Sequence, residues 1–431
     1  MIEKVKFDGF KYIDGGVCAA QGFKANGIQC GLAHKPLTDF EENSAKSNNA
    51  LQVKKKNDLA VIIADRECSA AAVYTTNKVK GAPIAVTKKN ISDGRAMGVI
   101  VNSVNANTCN ADGPEKAWKM CELAADEFGL KPADFIVAST GVIGQPLPIE
   151  PIEKGISELC RGVSYEGNAA AVEAIMTTDT LPKEVAAVFE IGGKKCVIGG
   201  MLKGSGMIHP NMATTLTFIT TDVSIAPEYL QRALNDVVKD TLNMVSVDGD
   251  QSTNDMCCVM ADGMAGNSEI KSENEDFEKF ENALYVVMMN LARMMARDGE
   301  GATKLVECIC AGADDLNTAR IVAKSVITSS LFKAAVFGED ANWGRILCAV
   351  GYADAEFDID KVDVDLASNA GKIAVCRNGS GVPFSEEVAK EILSEEEIKV
   401  IVSIGEGEYS AAAWGCDLTY DYVKINGDYR S

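Results

Sequence analysis

The 431-residue chain reads as an α+β protein of two lobes, with mixed β-sheet layers covered by helices, on three observations. Short apolar runs rich in β-branched residues crowd its first third. Helical spacing of apolar residues returns at 113–128, 227–237 and 275–297. The length is more than one hydrophobic core usually fills.

Taken in order, residues 14–33 alternate small turn residues with apolar pieces and predict strands joined by tight glycine turns. Residues 38–57 are polar and read as a surface loop. Four strands are expected next, at 58–64, 70–76, 83–87 and 97–102. Ala117, Met120, Cys121, Ala124 and Phe128 mark the first helix, and a strand at 135–138 runs into Ser139-Thr-Gly-Val-Ile-Gly144. A helix at 167–174 leads to the hydroxyl-rich turn Met176-Thr-Thr-Asp-Thr180, and a hairpin follows with arms at 184–191 and 195–198.

In the second half, Leu216-Thr-Phe-Ile-Thr220 is an expected buried strand and Pro227 starts an amphipathic helix. Phe277, Phe280, Leu284, Val287, Leu291 and Met294 place a long covering helix over 275–297. A strand at 304–310 and a helix at 314–330 precede shorter strands running to Val402. The C-terminal stretch 416–431 carries apolar and aromatic anchors and is expected to be docked. No internal repeat is evident.

Composition narrows the function. With 42 basic and 62 acidic residues the net charge is −20, which argues against nucleic acid and acidic membrane surfaces as partners. No stretch approaches the roughly 20 apolar residues of a membrane span, and the charged start Met1-Ile-Glu-Lys-Val-Lys6 lacks the apolar core of a signal peptide. Fourteen cysteines without a CxxC pair, and only two histidines, His34 and His209, support neither a zinc site nor a disulfide framework. Buried reduced thiols in a cytoplasmic protein fit better.

Asp248-Gly-Asp-Gln-Ser-Thr-Asn-Asp255 gathers carboxylates and hydroxyls, but it fails the later positions of a calcium loop and is read as a structural turn. The stretch Lys203-Gly-Ser-Gly-Met-Ile-His-Pro-Asn-Met-Ala-Thr-Thr-Leu216 is more suggestive of chemistry. Its glycines permit close backbone approach or positive φ, Pro210 forbids regular structure, and a hydroxyl pair stands at the mouth of a strand. In that setting Thr214 can attack the carbonyl of Ala213, and cleavage leaves Thr214 as a new N-terminus. Its α-amine, with an ordinary pKa of about 7.7–8.0, then serves as base for its own hydroxyl. Read alone, the same Gly-Ser-Gly run is more often a plain turn, and an anion-cradling loop of a binding protein is a further alternative. Ser139–Gly144 is likewise a tight turn or a set of backbone N–H groups aimed at an oxyanion.

Lys203-Gly-Ser-Gly-Met-Ile208 with Pro210-Asn-Met-Ala-Thr-Thr-Leu216 resembles the self-cleavage motif of the ornithine acetyltransferase (glutamate N-acetyltransferase) family of arginine biosynthesis. The likeness extends to the Gly-Gly-Val and Gly-Phe-Lys-Ala runs near the N-terminus, to 75–80, to Gly249–Asp255 and to Gly338–Arg345. One departure is Val104, where the family usually has glycine.

The resemblance implies an N-terminal-threonine nucleophile enzyme cut between Ala213 and Thr214 into chains 1–213 and 214–431. It assigns the oxyanion site to Thr140 and Gly141, and substrate contacts to Thr177 (with Thr178 its neighbour), Lys203, Thr214, Glu300, Asn426 and Ser431. It also implies transfer of acetyl from N-acetyl-L-ornithine to L-glutamate through an acetyl-threonine, with no cofactor and no metal. Some members also take acetyl-CoA as donor, and the cleaved chains assemble into α2β2 oligomers. A threonine amidohydrolase or aminopeptidase is the alternative use of the same nucleophile.

Overall fold

A computed structural model describes residues 3–32, 56–209 and 215–428. His34, the 38–55 stretch, the Ala213–Thr214 link and Ser431 lie outside the described residues. The architecture is α+β: two mixed sheets with helices between and around them.

The first sheet has nine strands, β1 (Lys11–Ile13), β2 (Phe23–Ile28), β3 (Leu59–Tyr74), β4 (Arg95–Asn102), β5 (Phe135–Ser139), β6 (Lys183–Ile191), β7 (Lys194–Lys203), β8 (Leu216–Thr221) and β10 (Met256–Ala261). Their order is β1-β6-β7-β8-β10-β3-β4-β5, with β2 also paired to β3. The expected cut at 213/214 does not separate the two sheets. β8 and β10, from the second half of the chain, sit in the middle of this sheet, antiparallel to β7 and β3 respectively and parallel to each other.

The second sheet adds β9 (Val245–Ser246), β12 (Asp363–Ser368), β13 (Gly371–Arg377) and β14 (Ser380–Gly381), runs in the order β14-β13-β12-β15-β11-β16-β9, and is built entirely from the second half. Its central strands are β11 (Leu305–Ala313), β15 (Glu397–Ser403) and β16 (Tyr409–Cys416).

The α-helices include α1 (Ala82–Asn90), α2 (Gly113–Phe128), α5 (Pro227–Val237), α6 (Glu275–Arg297) and, at the end, α11 (Tyr420–Asp428). The remaining described α-helices are α3 (Glu150–Arg161), α4 (Asn168–Ile175), α7 (Leu316–Thr328), α8 (Ser330–Phe337), α9 (Trp343–Gly351) and α10 (Glu386–Ser394).

Helix α6 is the keystone of the packing. Asn274 caps it by accepting the Phe277 N–H at 3.1 Å, and three acidic residues in its first turn suit the positive end of the helix. Its buried residues join one core that includes β6, β7, β11 and β16, so the helix is sandwiched between the two sheets. The two expected lobes therefore share a core. Burying side chains such as Phe280, Leu284 and Leu291 stabilises the pair by about 1.5–3 kcal/mol each.

Four local expectations need correction. Residues 58–64 and 70–76 are one long strand, β3, whose exposed middle at 65–67 mimics a turn. Residues 83–87 are helical: Gly81 precedes a proline in the first turn, and Thr87 and Asn90 bond to the carbonyls of Val137 and Phe135. That tertiary docking overrides the β-branched composition. Gly16–Cys18 is a 3-10 turn, and the stretch expected to hold only short strands contains α9 and α10.

Candidate active site

Backbone chemistry at the end of β5 creates the first wall. The Thr140 N–H continues the sheet by donating to Asn102 O at 3.0 Å, and the Val142 N–H donates to Val104 O at 3.0 Å. Between them Gly141 adopts φ +123°, and its N–H has no partner among the described residues. A Cβ on Gly141 would stand 2.1 Å from Val104 O, so only glycine fits. The expected pair of backbone donors is thus corrected: the amide of 140 is consumed by the ladder. Both residues line the cavity, and of their two amides only that of Gly141 is without a partner among the described residues.

The second wall is the turn after α4. Thr177 N–H donates to Asp179 Oδ2 at 2.9 Å, while Thr178 Oγ1 and Ser205 Oγ lie 2.7 Å apart. The Thr178 hydroxyl is engaged with protein, and that of Thr177 has no partner among the described residues, which favours Thr177 as the ligand contact.

The third wall is the loop leaving β7. Lys203 is the last residue of that strand, and Gly204 N–H donates to Asp179 Oδ1 at 2.7 Å. Asp248 receives the N–H groups of Met207 and Ile208 at 2.6 and 2.9 Å. Gly206 is a close-approach glycine, because a Cβ there would meet the Glu300 carboxyl at 2.3 Å.

Glu300, just beyond α6, donates its N–H to Ser205 O at 2.9 Å. Its Oε2 accepts from Asn426 Nδ2 of α11 at 2.7 Å.

These walls enclose a cavity of ≈ 320 Å³ lined by Thr140, Gly141, Thr177, Lys203, Glu300 and Asn426 together with neighbouring residues. Every expected site residue among those described faces it. The head of β8 adjoins it: Thr215 and Leu216 line a smaller recess with Thr140, Lys203 and Asp255. The Lys203 ammonium is pushed down in pKa by burial and pulled back by the Asp179, Asp255 and Glu300 carboxylates. A cation here is poised to be neutralised further by an anionic ligand.

Sequence reasoning left the Asp248–Asp255 segment without chemistry, and the structure gives it a supporting part. Asn254 Nδ2 donates to Ala106 O at 2.6 Å and Ser139 O at 2.9 Å, clamping the base of the Gly141 wall. Asp255 is buried, its Oδ2 has no hydrogen-bond partner, and burial pushes its pKa well up despite Ser252 and Lys203. Apart from its likeness to the family segment, the signal in the sequence was the density of polar groups before an apolar strand. No group of three or more metal-ligating side chains is clustered among the described residues, and no described helix is long and apolar enough to cross a membrane. His209, with Nδ1 3.1 Å from Ser246 Oγ, is pushed down to about 4 by burial and is neutral at physiological pH.

Known proteins match this chain along nearly its whole length. The ArgJ family matches residues 45–431. The arginine biosynthesis bifunctional protein ArgJ 1 of Clostridium acetobutylicum is 48% identical over 410 residues, 95% of this chain and 96% of its own. The arginine biosynthesis bifunctional protein ArgJ of Caldanaerobacter subterraneus is 46% identical over 420 residues, covering 97% and 99%. Among solved structures, the bifunctional protein ArgJ of Bacillus halodurans is 44% identical, covering 49% of this chain and 98% of that one, with a TM-score of 0.47. An ornithine acetyltransferase of Mycobacterium tuberculosis complexed with ornithine is 29% identical, covering 47% and 100%, with a TM-score of 0.40. By its sequence, the chain belongs to the ArgJ family.

Proposed function

We propose that this protein is a self-cleaving acetyltransferase of arginine biosynthesis. It moves acetyl from N-acetyl-L-ornithine to L-glutamate and, in keeping with the bifunctional name of its relatives, also acetylates glutamate from acetyl-CoA. The observation that carries this reading is convergence: Thr140, Gly141, Thr177, Lys203, Glu300 and Asn426, from five separated segments on both sides of the 213/214 link, line one cavity beside the head of β8.

In processing, Thr214 Oγ adds to the Ala213 carbonyl and the C–N bond breaks, leaving an ester and a free amine. Water hydrolyses the ester to the Ala213 carboxylate and the Thr214 hydroxyl. β7–β8 and β3–β10 pairing then holds chains 1–213 and 214–431 together.

In turnover, the Thr214 amine takes the proton of its own Oγ, which adds to the acetyl carbonyl of the donor. The developing oxyanion is met by the Gly141 N–H and the Thr140 hydroxyl. As the C–N bond breaks, the proton passes to the leaving α-amine of ornithine. Glutamate repeats these steps in reverse on the acetyl-threonine, its α-amine ending as the acetamide.

Donor and acceptor are both α-amino acids, so one set of contacts serves both. Lys203 takes the α-carboxylate, and Thr177, Glu300, Asn426 and Ser431 take the remaining polar groups. This exchange calls for no cofactor and no metal. An α2β2 assembly in the cytoplasm accords with the family.

The test is partition of labelled acetyl. N-Acetylornithine labelled in its acetyl group and incubated with glutamate should yield labelled N-acetylglutamate. Release of the label as acetate would instead favour an amidohydrolase.

A further inference from the structure

Behind the cavity lies a buried charge cluster whose own side chains are not among its lining residues. Lys183, the first residue of β6, is 1% exposed. Its Nζ lies 2.7 Å from Asp179 Oδ1 and 2.5 Å from Asp298 Oδ2.

Each carboxylate in turn gathers backbone from a different wall. Asp179 receives the N–H of Thr177 at 2.9 Å and of Gly204 at 2.7 Å. Asp298 receives the N–H of Thr180 at 3.1 Å, and its hydroxyl as well, and stands two residues before Glu300. One ammonium therefore ties the Thr177 turn, the Lys203–Gly204 junction and the Glu300 loop.

We propose that Lys183 is a positioning residue for recognition of the α-carboxylate: by occupying Asp179, it leaves the Lys203 ammonium available to the substrate. This rests on the acetyltransferase reading above.

The charges support it. Burial alone would raise the Asp179 pKa, yet the Lys183 and Lys203 ammoniums hold it well below the usual carboxylate range. The two lysines share that carboxylate, but only Lys183 bonds it directly. With Lys183 gone, Asp179 would be a buried carboxylate left to the Lys203 ammonium, and Asp298 would lose its ammonium partner. Asp179 would draw the Lys203 charge away from the cavity, and the Thr177 and Glu300 segments would lose their common tie. A buried ion pair is weak evidence for stability, so its presence here is better explained by placement than by fold.

The test is Lys183→Met, beside the charge-balanced Lys183→Met/Asp298→Asn, which avoids leaving two unpaired buried carboxylates should the single variant fail to fold. Both are assayed with N-acetylornithine, with glutamate, and with N-acetyl-1,4-diaminobutane, the donor that lacks the α-carboxylate. The expected result is a rise in KM of about tenfold or more for both amino acids, with kcat within about threefold. For the decarboxylated donor, kcat/KM should fall by less than about threefold. The double variant should regain the wild-type melting temperature but keep the raised KM. An equal loss with and without the α-carboxylate, or an unchanged KM, would overturn the proposal. Absence of acetyl transfer by the wild type would instead defeat the functional reading.

Discussion

Gly141→Ala is the substitution whose consequence the structure defines most sharply. The added Cβ would stand 2.1 Å from Val104 O and 2.2 Å from Val104 C, both backbone atoms in a bonded ladder, at φ +123°. Real Cβ contacts essentially never fall below 3.0 Å, so the 140–142 segment must move by about 1 Å or rotate its φ. Strain of this kind costs about 1–3 kcal/mol. The larger effect is catalytic, because the same movement turns away the Gly141 N–H, and loss of one oxyanion donor lowers kcat by about 10²–10³-fold. Self-cleavage, which uses the same donor, should slow in parallel.

The control is Gly144→Ala. At φ +79° with nothing within 4 Å of the new methyl, it incurs the conformational cost without the collision. The assay is acetyl transfer at saturating substrate, with a denaturing gel for cleavage and a thermal melt for stability. Wild-type turnover by a folded Gly141→Ala protein would refute the oxyanion assignment, and equal losses in both variants would reduce it to backbone strain.

Three further predictions follow from individual side chains. Glu300→Gln keeps an acceptor for Asn426 but removes the charge that would meet the δ-ammonium of N-acetylornithine, so KM for that donor should rise by about tenfold or more while kcat changes little. Asp262 is pushed up to about 6, chiefly by burial, and its Oδ2 has no partner. The folded state then holds a proton that the unfolded chain releases, so stability is greatest below about pH 4 as far as this group is concerned. It declines as pH rises through about 6, by about 3 kcal/mol, and Asp262→Asn should flatten that decline in urea titrations run across the window. Of the fourteen free cysteines Cys109 and Cys348 are exposed and Cys30 is half-buried, so a thiol reagent should label two sites quickly, Cys30 slowly and the eleven buried ones only on unfolding.

Local grammar made much of the fold legible. α2, α5 and α6 match their expected spans because each begins with proline in the first turn or an asparagine cap over an apolar stripe. The α1 helix was missed because Ile, Val and Thr resemble a strand until Thr87 and Asn90 are seen bonded to β5. Family likeness singled out Thr140, Gly141, Thr177, Lys203, Glu300 and Asn426, which line one cavity, whereas the glycine-rich runs read alone favoured plain turns. The support behind that cavity was not legible. Lys183 and Asp298 are 115 residues apart in sequence, Asn254 and Ala106 are 148 apart, and no spacing rule links them. Nor could the strand-like run 135–138 reveal that the Thr140 amide would be spent on Asn102.

The central claim is that a threonine released by cleavage carries the acetyl group. Intact-mass spectrometry of the purified protein, before and after incubation with N-acetylornithine in the absence of glutamate, tests it directly. The account predicts two chains joining at Ala213 and Thr214, with the second gaining the mass of one acetyl group that glutamate then removes. A single unbroken polypeptide that turns over at full rate, or acetyl found on any residue other than Thr214, would contradict it.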